Sequence, residues 1–362
     1  MNRGCPTEMR KAFFFGLVSS VLITVGFALP KLEPSGIYCL IPTDLSPEDP
    51  IGSQTDHPSL TNVNVDGFRV REKWRDVQPT DETTYNWAEI DDALLLAQLV
   101  GKRISISVDA GKSCPQWLYD AGAVGYTVQG DPGANERVPG PNDPVYVAKW
   151  TAFIAAFGAH YDGNANLSYV VMTGFGQTCE WYYARSAQDA TLLETLNGGN
   201  GVADWLRQAK TFITAYNSAF PTTPFYGALA RPFPDQAGLQ AEKDLVEWAT
   251  ATYSRFGLMN STLNAQSQIT FYPNEAVNTY YTTHPAGFQM LWSYLETQNP
   301  DGTRLGGTLE QALTNGVNFG GKFVEVYEPD VDDPNETTVL ATKRVALKQN
   351  TIVVPRQKFI QP

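Results

Sequence analysis

The chain has 362 residues, 43% hydrophobic and 18% charged, enough to bury a large core. Its formal net charge of −12 argues against nucleic acid and anionic membrane surfaces as partners. Aromatics make up 12%, with 8 Trp and 17 Tyr, a content that suits sugar rings packed on aromatic faces and equally suits a large core.

Residues 1–11 carry Arg3, Arg10 and Lys11 against Glu8; residues 12–29 are apolar with small residues interspersed, and Pro30 follows. This is the pattern of a signal peptide over residues 1–28. A retained membrane anchor is the alternative, because the run is nearly long enough to span a bilayer. Either way residues 29–362 are expected outside the cytoplasm, secreted or periplasmic, with a membrane as partner only if the segment is retained. Without residues 1–28 the balance is 23 bases against 37 acids.

Gly36–Ile41 reads as a first strand, and residues 43–64 as a loop with at most a weak helix. Gly67–Trp74 alternates, with Phe68 and Val70 on one face and Arg69 and Arg71 on the other. In a barrel whose outer face packs on helices, the arginines point inward and need anionic partners. A helix is predicted from about Trp87 to Val100. Lys102–Asp109 is the next strand, with Ser105, Ser107 and Asp109 on the inner face. Asp109, at its end, is either a mouth residue or a solvated turn acid. The connection 110–143 contains Trp117 and is long, as functional loops often are. Val147, Trp150, Ile154, Phe157 and Tyr161 then follow helical spacing.

The strand Leu167–Thr173 stops at Gly174 and Gly176, and Glu180 appears between Cys179 and Trp181. A strand that ends in glycines and presents an acid beside aromatics is how a barrel often builds half of a glycosidic site. The plainer reading is a surface Glu after an ordinary strand. Further on, helices are predicted at Ala203–Phe220, Glu242–Phe256, 274–283, Leu305–Asn318 and 337–348. Strands are predicted at Pro224–Arg231, Gly257–Leu263, Gly287–Trp292 and Lys322–Tyr327. In the last two strands Gln289, Glu325 and Tyr327 take the inner face. An inward Glu325 is costly unless it is functional or paired with Arg69 or Arg71. Eight strands alternating with helices, without repeats or linkers, give one (β/α)8 TIM barrel over residues 29–362.

Cys39, Cys114 and Cys179 fit no zinc spacing, and His57, His160 and His284 are scattered, so neither a metal nor a cofactor is expected. Cys39 reads as a core residue. Cys114 and Cys179 follow consecutive strands at the same end of the barrel, so they are either a disulfide or two free thiols. Sequons begin at Asn166, Asn260 and Asn335.

Residues 67–118 carry Arg71, Trp74, Val-Gln-Pro at 77–79, Tyr-Asn-Trp at 85–87, Asp91, Gly101-Lys102 and Cys-Pro-Gln-Trp-Leu at 114–118. This stretch resembles the N-terminal half of clan A glycoside hydrolase barrels, especially the family 42 β-galactosidase-like group. The resemblance implies a retaining hydrolase with its acid/base carboxylate after the fourth strand, where Glu180 falls, and its nucleophile at the end of the seventh. The clan usually places Asn directly before that Glu, and here the position is Cys179. The seventh strand offers Gln289, an amide that cannot serve as a carboxylate nucleophile, while Glu325 lies on the eighth.

The expected function is therefore a secreted glycoside hydrolase acting on a carbohydrate. Glu180 would be the general acid/base, its pKa raised by Trp181 and Tyr182. Glu325 would be the second carboxylate, kept ionised by Arg71. Trp117, Trp181 and Trp292 are candidate sugar platforms, with Asp109, Gln289 and Tyr327 as further substrate contacts. The alternative is a non-catalytic carbohydrate-binding barrel, which Cys179 and Gln289 favour. A third chemistry on this fold is a transglycosylase or a polysaccharide lyase, whose base and uronate-binding residue Tyr327 and Arg71 would fit.

Overall fold

Apart from the first methionine, the computed structural model describes residues 30–41, 58–129, 136–195, 200–295 and 306–350. The leader or anchor expected over residues 1–28 lies outside that range. Among the described residues no helix is long and apolar enough to cross a membrane.

Eight parallel strands close on themselves: β1 (Gly36–Leu40), β2 (Gly67–Lys73), β3 (Arg103–Asp109), β4 (Leu167–Met172), β5 (Phe225–Leu229), β6 (Phe256–Leu263), β7 (Ala286–Met290) and β8 (Phe323–Tyr327). Each strand pairs with its sequence neighbours, and β1 closes the ring on β8 with Gly36 opposite Phe323. The expected (β/α)8 barrel is the observed architecture, and all eight predicted strands are present.

The alternation read from the sequence sets what faces where. Phe68, Val70, Ile104, Ile106, Val324 and Val326 are fully buried and join the large cluster between barrel and helices. Tyr38, Tyr169, Val171, Tyr226, Met259 and Phe323 instead fill the barrel interior as a separate cluster. Its rings meet at 4.6–5.7 Å between centroids, mostly edge to face, as ring quadrupoles prefer. The interior is thus a packed core, as small barrels require.

The outer helices are α1 (Ala88–Leu99), α2 (Pro144–Tyr161), α3 (Gly201–Ala219), α4 (Gln236–Thr252), α5 (Asn274–Tyr280), α6 (Leu309–Asn318) and α7 (Thr337–Gln349). Their starts follow local chemistry. Asp143 accepts from the Tyr146 N–H and Pro144 takes the first turn, where its missing donor costs nothing. Asp235 accepts from the Gly238 N–H, so α4 begins six residues before the expected Glu242. Thr308 and Gln311 form a capping box, which starts α6 at Leu309 rather than Leu305.

The connection 110–143 is not structureless. It holds a short helix, Gln116–Asp120, and an antiparallel ribbon pairing Gly125–Thr127 with Arg137–Pro139. A helix at Ala187–Thr195 was not predicted. The described part of 43–64 holds only the one-turn Pro58–Leu60 helix.

Candidate active site

The C-terminal ends of β2 and β3 and the loop after β4 enclose a pocket of about 480 Å³ at the barrel mouth. Arg71 and Lys73 come from β2, Asp109 from β3, and Thr178, Glu180 and Tyr182 from the loop. This is the face of a barrel on which loop and strand ends converge. A larger cavity, about 970 Å³, lies on the outside between α2 and α3, lined mainly by small residues and carrying no cluster of reactive groups.

The loop that presents Glu180 is held from several sides. Gly174 has φ +93°, and a Cβ there would run into the Trp150 indole, so glycine is required for the turn out of β4. The Gln177 N–H donates to the Tyr182 carbonyl at 3.0 Å, closing the loop on itself. Its carbonyl accepts from the Lys112 N–H at 2.8 Å, and the Trp181 N–H donates to the Ala228 carbonyl at 3.1 Å. The Trp181 ring packs with Phe175 and Trp205 against Gly227, where any side chain would collide with the indole. Trp181 is fully buried. The expectation that it forms a sugar platform is corrected: it anchors the loop from below, while Glu180 lines the pocket.

Four carboxyl groups line the pocket, Glu72, Asp109, Glu136 and Glu180, and those of Glu180 and Asp109 are pushed in opposite directions. Burial would raise Glu180, but the Thr178 hydroxyl, donating to Oε2 at 2.6 Å, and the Arg71 charge outweigh it. Glu180 therefore sits below the usual glutamate range, opposite to the raised value expected. Asp109 is pushed up to about 6 by burial, against the opposing charges of Arg71 and Arg69 and with help from Glu180. Burial works against the charge on Arg71, yet the carboxylates around it, Glu180 and Asp109 among them, hold it protonated. The Cys179 thiol is pushed well up by burial and stays neutral.

Glu325 does not share this pocket. Its side chain has no exposed surface, and its Oε1 accepts from Arg69 Nη1 at 2.8 Å and from the Tyr169 hydroxyl at 2.5 Å. The Ser105 hydroxyl approaches the same oxygen at 3.5 Å. The expected role as a sugar-facing carboxylate is corrected: Glu325 is the counter-ion of Arg69 inside the barrel. The barrel's stagger sets it among the packed interior rings instead of at the mouth.

Gln289 accepts from Arg71 Nη2 at 2.8 Å and is 3% exposed, so it orients Arg71 from behind and does not line the pocket. Tyr327, Trp117 and Trp292 are half-buried outside the pocket lining. Trp117 donates its indole N–H to the Gln78 carbonyl at 2.7 Å and packs edge-on against Trp74. Cys114 and Cys179 are both buried free thiols, so the disulfide alternative is not formed. Among the described residues no group of three or more His, Cys, Asp or Glu is placed to hold a metal ion.

Of the residues singled out in the sequence as site candidates, Arg71, Asp109 and Glu180 meet in this pocket; Thr178, Lys73, Arg75, Lys112 and Arg185 also line it and were not singled out. Thr178 was findable: two positions before Glu180, a hydroxyl can reach the carboxylate within one turn.

No family model matches the sequence, and no curated protein matches it either. Solved structures do resemble the fold. The catalytic domain of a β-amylase from Paenibacillus polymyxa superposes with a TM-score of 0.58 at 10% identity, covering 90% of this chain and 100% of that one. A β-galactosidase from Rahnella sp. R3 gives 0.52 at 11% identity over 83% of this chain. The match takes in 51% of that galactosidase's length, so the chain corresponds to about half of it. At such identities the likeness lies in the shared barrel, and the chemistry rests on the pocket itself.

Proposed function

We propose that the chain is a secreted or periplasmic glycoside hydrolase whose working carboxyl pair is Asp109 and Glu180. One observation carries this reading: two carboxyl groups share one pocket and one arginine, and their surroundings push their pKa values apart. Asp109, pushed up to about 6, holds a proton at higher pH than an ordinary aspartate does and donates it to the glycosidic oxygen. Glu180, held ionised by Thr178 and Arg71, either attacks the anomeric carbon or takes a proton from the attacking water. The roles are the reverse of those implied by the clan A resemblance, because the hydroxyl at Thr178 favours the anion at Glu180. Arg71, steadied by Gln289, stabilises that anion and screens it from Asp109.

The step balances without a cofactor. The C–O bond breaks as Asp109 gives its proton to the leaving oxygen. In the displacement mode Glu180 forms a glycosyl ester, which water then hydrolyses while returning a proton to Asp109. In the single-step mode Glu180 receives the proton of the water that attacks. Carboxyl groups about 5 Å apart favour the first mode and about 6.5–9.5 Å the second.

The test is turnover of oligosaccharides and aryl glycosides by the wild type, Asp109→Asn and Glu180→Gln. Both variants should lose about 10²–10⁴-fold on unactivated glycosides while folding normally. On a nitrophenyl glycoside, whose leaving group needs no proton, Asp109→Asn should recover most of its bond-cleaving rate and Glu180→Gln should not. The opposite pattern of rescue would exchange the two roles. Saccharide binding without any turnover by the wild type would leave the carbohydrate-binding barrel as the function.

A further inference from the structure

Thr178, Glu180 and Tyr182 stand at alternate positions of the loop after β4, and all three line the mouth pocket. Trp181, between the last two, turns the other way into its slot beside Gly227. The loop is too tight to rearrange cheaply: a Cβ at Gly176 would collide with the carbonyl oxygens of both Glu180 and Tyr182. The Arg185 guanidinium lies 3.9 Å over the Tyr182 ring and flanks it on the pocket wall.

The three side chains form one hydrogen-bonded chain. Thr178 Oγ is 2.6 Å from Glu180 Oε2 and 2.9 Å from the Tyr182 hydroxyl oxygen. A threonine hydroxyl has one hydrogen, and an ionised carboxylate can only accept. With Glu180 ionised, the Thr178 hydrogen goes to Oε2, so Tyr182 has to be the donor to Thr178. The chain then runs in one direction, from Tyr182 through Thr178 to Glu180, and each bond polarises the next. A proton on Oε2 would reverse it. Glu180 would donate to Thr178 and Thr178 to Tyr182, and the phenol hydrogen would have to turn elsewhere. Among the described residues the phenol has no second hydrogen-bond partner to receive it.

We infer that Tyr182 is a positioning residue: its hydroxyl orients that of Thr178, which fixes Oε2 of Glu180 and holds this carboxylate in the ionised form that the reaction uses. The inference rests on reading Glu180 as the ionised member of the hydrolase pair, and it adds a residue that acts only through Thr178. Other charged and titratable groups face Glu180 from every side of the pocket. They are Arg71, Glu72 and Lys73 of β2, Arg75 after it, Asp109 of β3, and Lys112 and Glu136 of the 110–143 connection. Cys179 and Arg185 belong to its own segment, and Tyr327 ends β8. None is a link in the hydroxyl chain, so removing the Tyr182 oxygen leaves them in place.

The experiment is a pH titration of the Glu180 carboxyl by carbon-13 NMR in glutamate-labelled protein, with the resonance assigned by its loss in Glu180→Gln. Tyr182→Phe keeps the ring under Arg185 and removes one oxygen. It should raise the Glu180 midpoint by about 0.3–1 pH unit, and Thr178→Val, or the smaller Thr178→Ala, by about 1–2. Adding Tyr182→Phe to either Thr178 variant should change nothing further, because its route to Glu180 is gone. Thr178→Ser keeps the hydroxyl and should restore the response to Tyr182→Phe. A Tyr182→Phe midpoint at the wild-type value, or a shift that persists without the Thr178 hydroxyl, would overturn the inference. Turnover separates it from the reading beneath it. Coupled shifts in a protein that cleaves no glycoside keep the hydroxyl chain and lose the hydrolase. An active hydrolase whose acidic limb of kcat/KM is the same in wild type and Tyr182→Phe does the reverse.

Discussion

Arg69 and Arg71 project from the same face of β2, two residues apart, and their surroundings diverge completely. Arg69 is sealed among the interior rings and meets one carboxylate, Glu325, with a tyrosine hydroxyl on the same oxygen. Arg71 reaches the mouth, is held by the neutral Gln289, and has Asp109 and Glu180 nearby without being matched to either alone. The inner layer is closed and its two charges oppose each other, so neither can be removed without stranding the other. The outer layer is open, with two acids of unequal proton affinity, so it can move a proton.

The sharpest way to break this contrast is to remove the inner carboxylate. Glu325→Ala strands a buried guanidinium and should cost about 3–5 kcal/mol in denaturant unfolding. A loss below about 1 kcal/mol would mean that the inner layer is not dry. Next in size, Arg71→Gln should leave unfolding nearly unchanged while Glu180 loses its stabilising charge. The acidic limb of kcat/KM should then move up by about 1–3 pH units. A limb that stays in place would remove Arg71 from the control of Glu180.

The wild-type profile carries the third test. If Asp109 is the proton donor, kcat/KM falls as pH rises through about 6, and that limb disappears in Asp109→Asn on an activated substrate. Glu242 sharpens the contrast from another side. It is buried in α4, its Oε1 has no hydrogen-bond partner among the described residues, and burial pushes it up to about 8. Its folded form prefers the proton, so stability present below its ordinary value of 4.5 is lost as pH climbs through about 8. Glu242→Gln should therefore gain about 1–3 kcal/mol at pH 9 and nothing at pH 4. The smallest effect belongs to the thiols: with Cys114 and Cys179 free, a reductant should shift stability by less than about 0.5 kcal/mol.

Much of the barrel was legible because its signal repeats. Strand alternation placed Phe68 and Val70 outside and Arg69, Arg71 and Glu325 inside, as found. Depth along the barrel axis was not legible. A period of two tells which side Glu325 faces, but its height depends on the stagger of strands hundreds of residues apart. Trp181 was misread for a related reason: beside Glu180 in sequence, it turns the opposite way, to a slot opened by Gly227 on β5. That glycine within a strand was the overlooked clue. The ribbon and short helix of 110–143 span too few residues to show a period. The pocket's cations lie on separate elements, and only folding gathers them.

The β1–β8 seam has a consequence for how the chain comes to be folded. β8 is the last of the described barrel strands in chain order, and until it inserts the ring stays open, with β1 lacking one neighbour. Glu325 arrives on that strand, 256 positions after Arg69. Every intermediate without β8 must leave the Arg69 guanidinium in water or bury it unmatched. Closure is the step that brings Glu325 to Arg69, so this ion pair forms only when the ring of described strands is complete. A product truncated before residue 322 should remain open, soluble only with help, and easily digested.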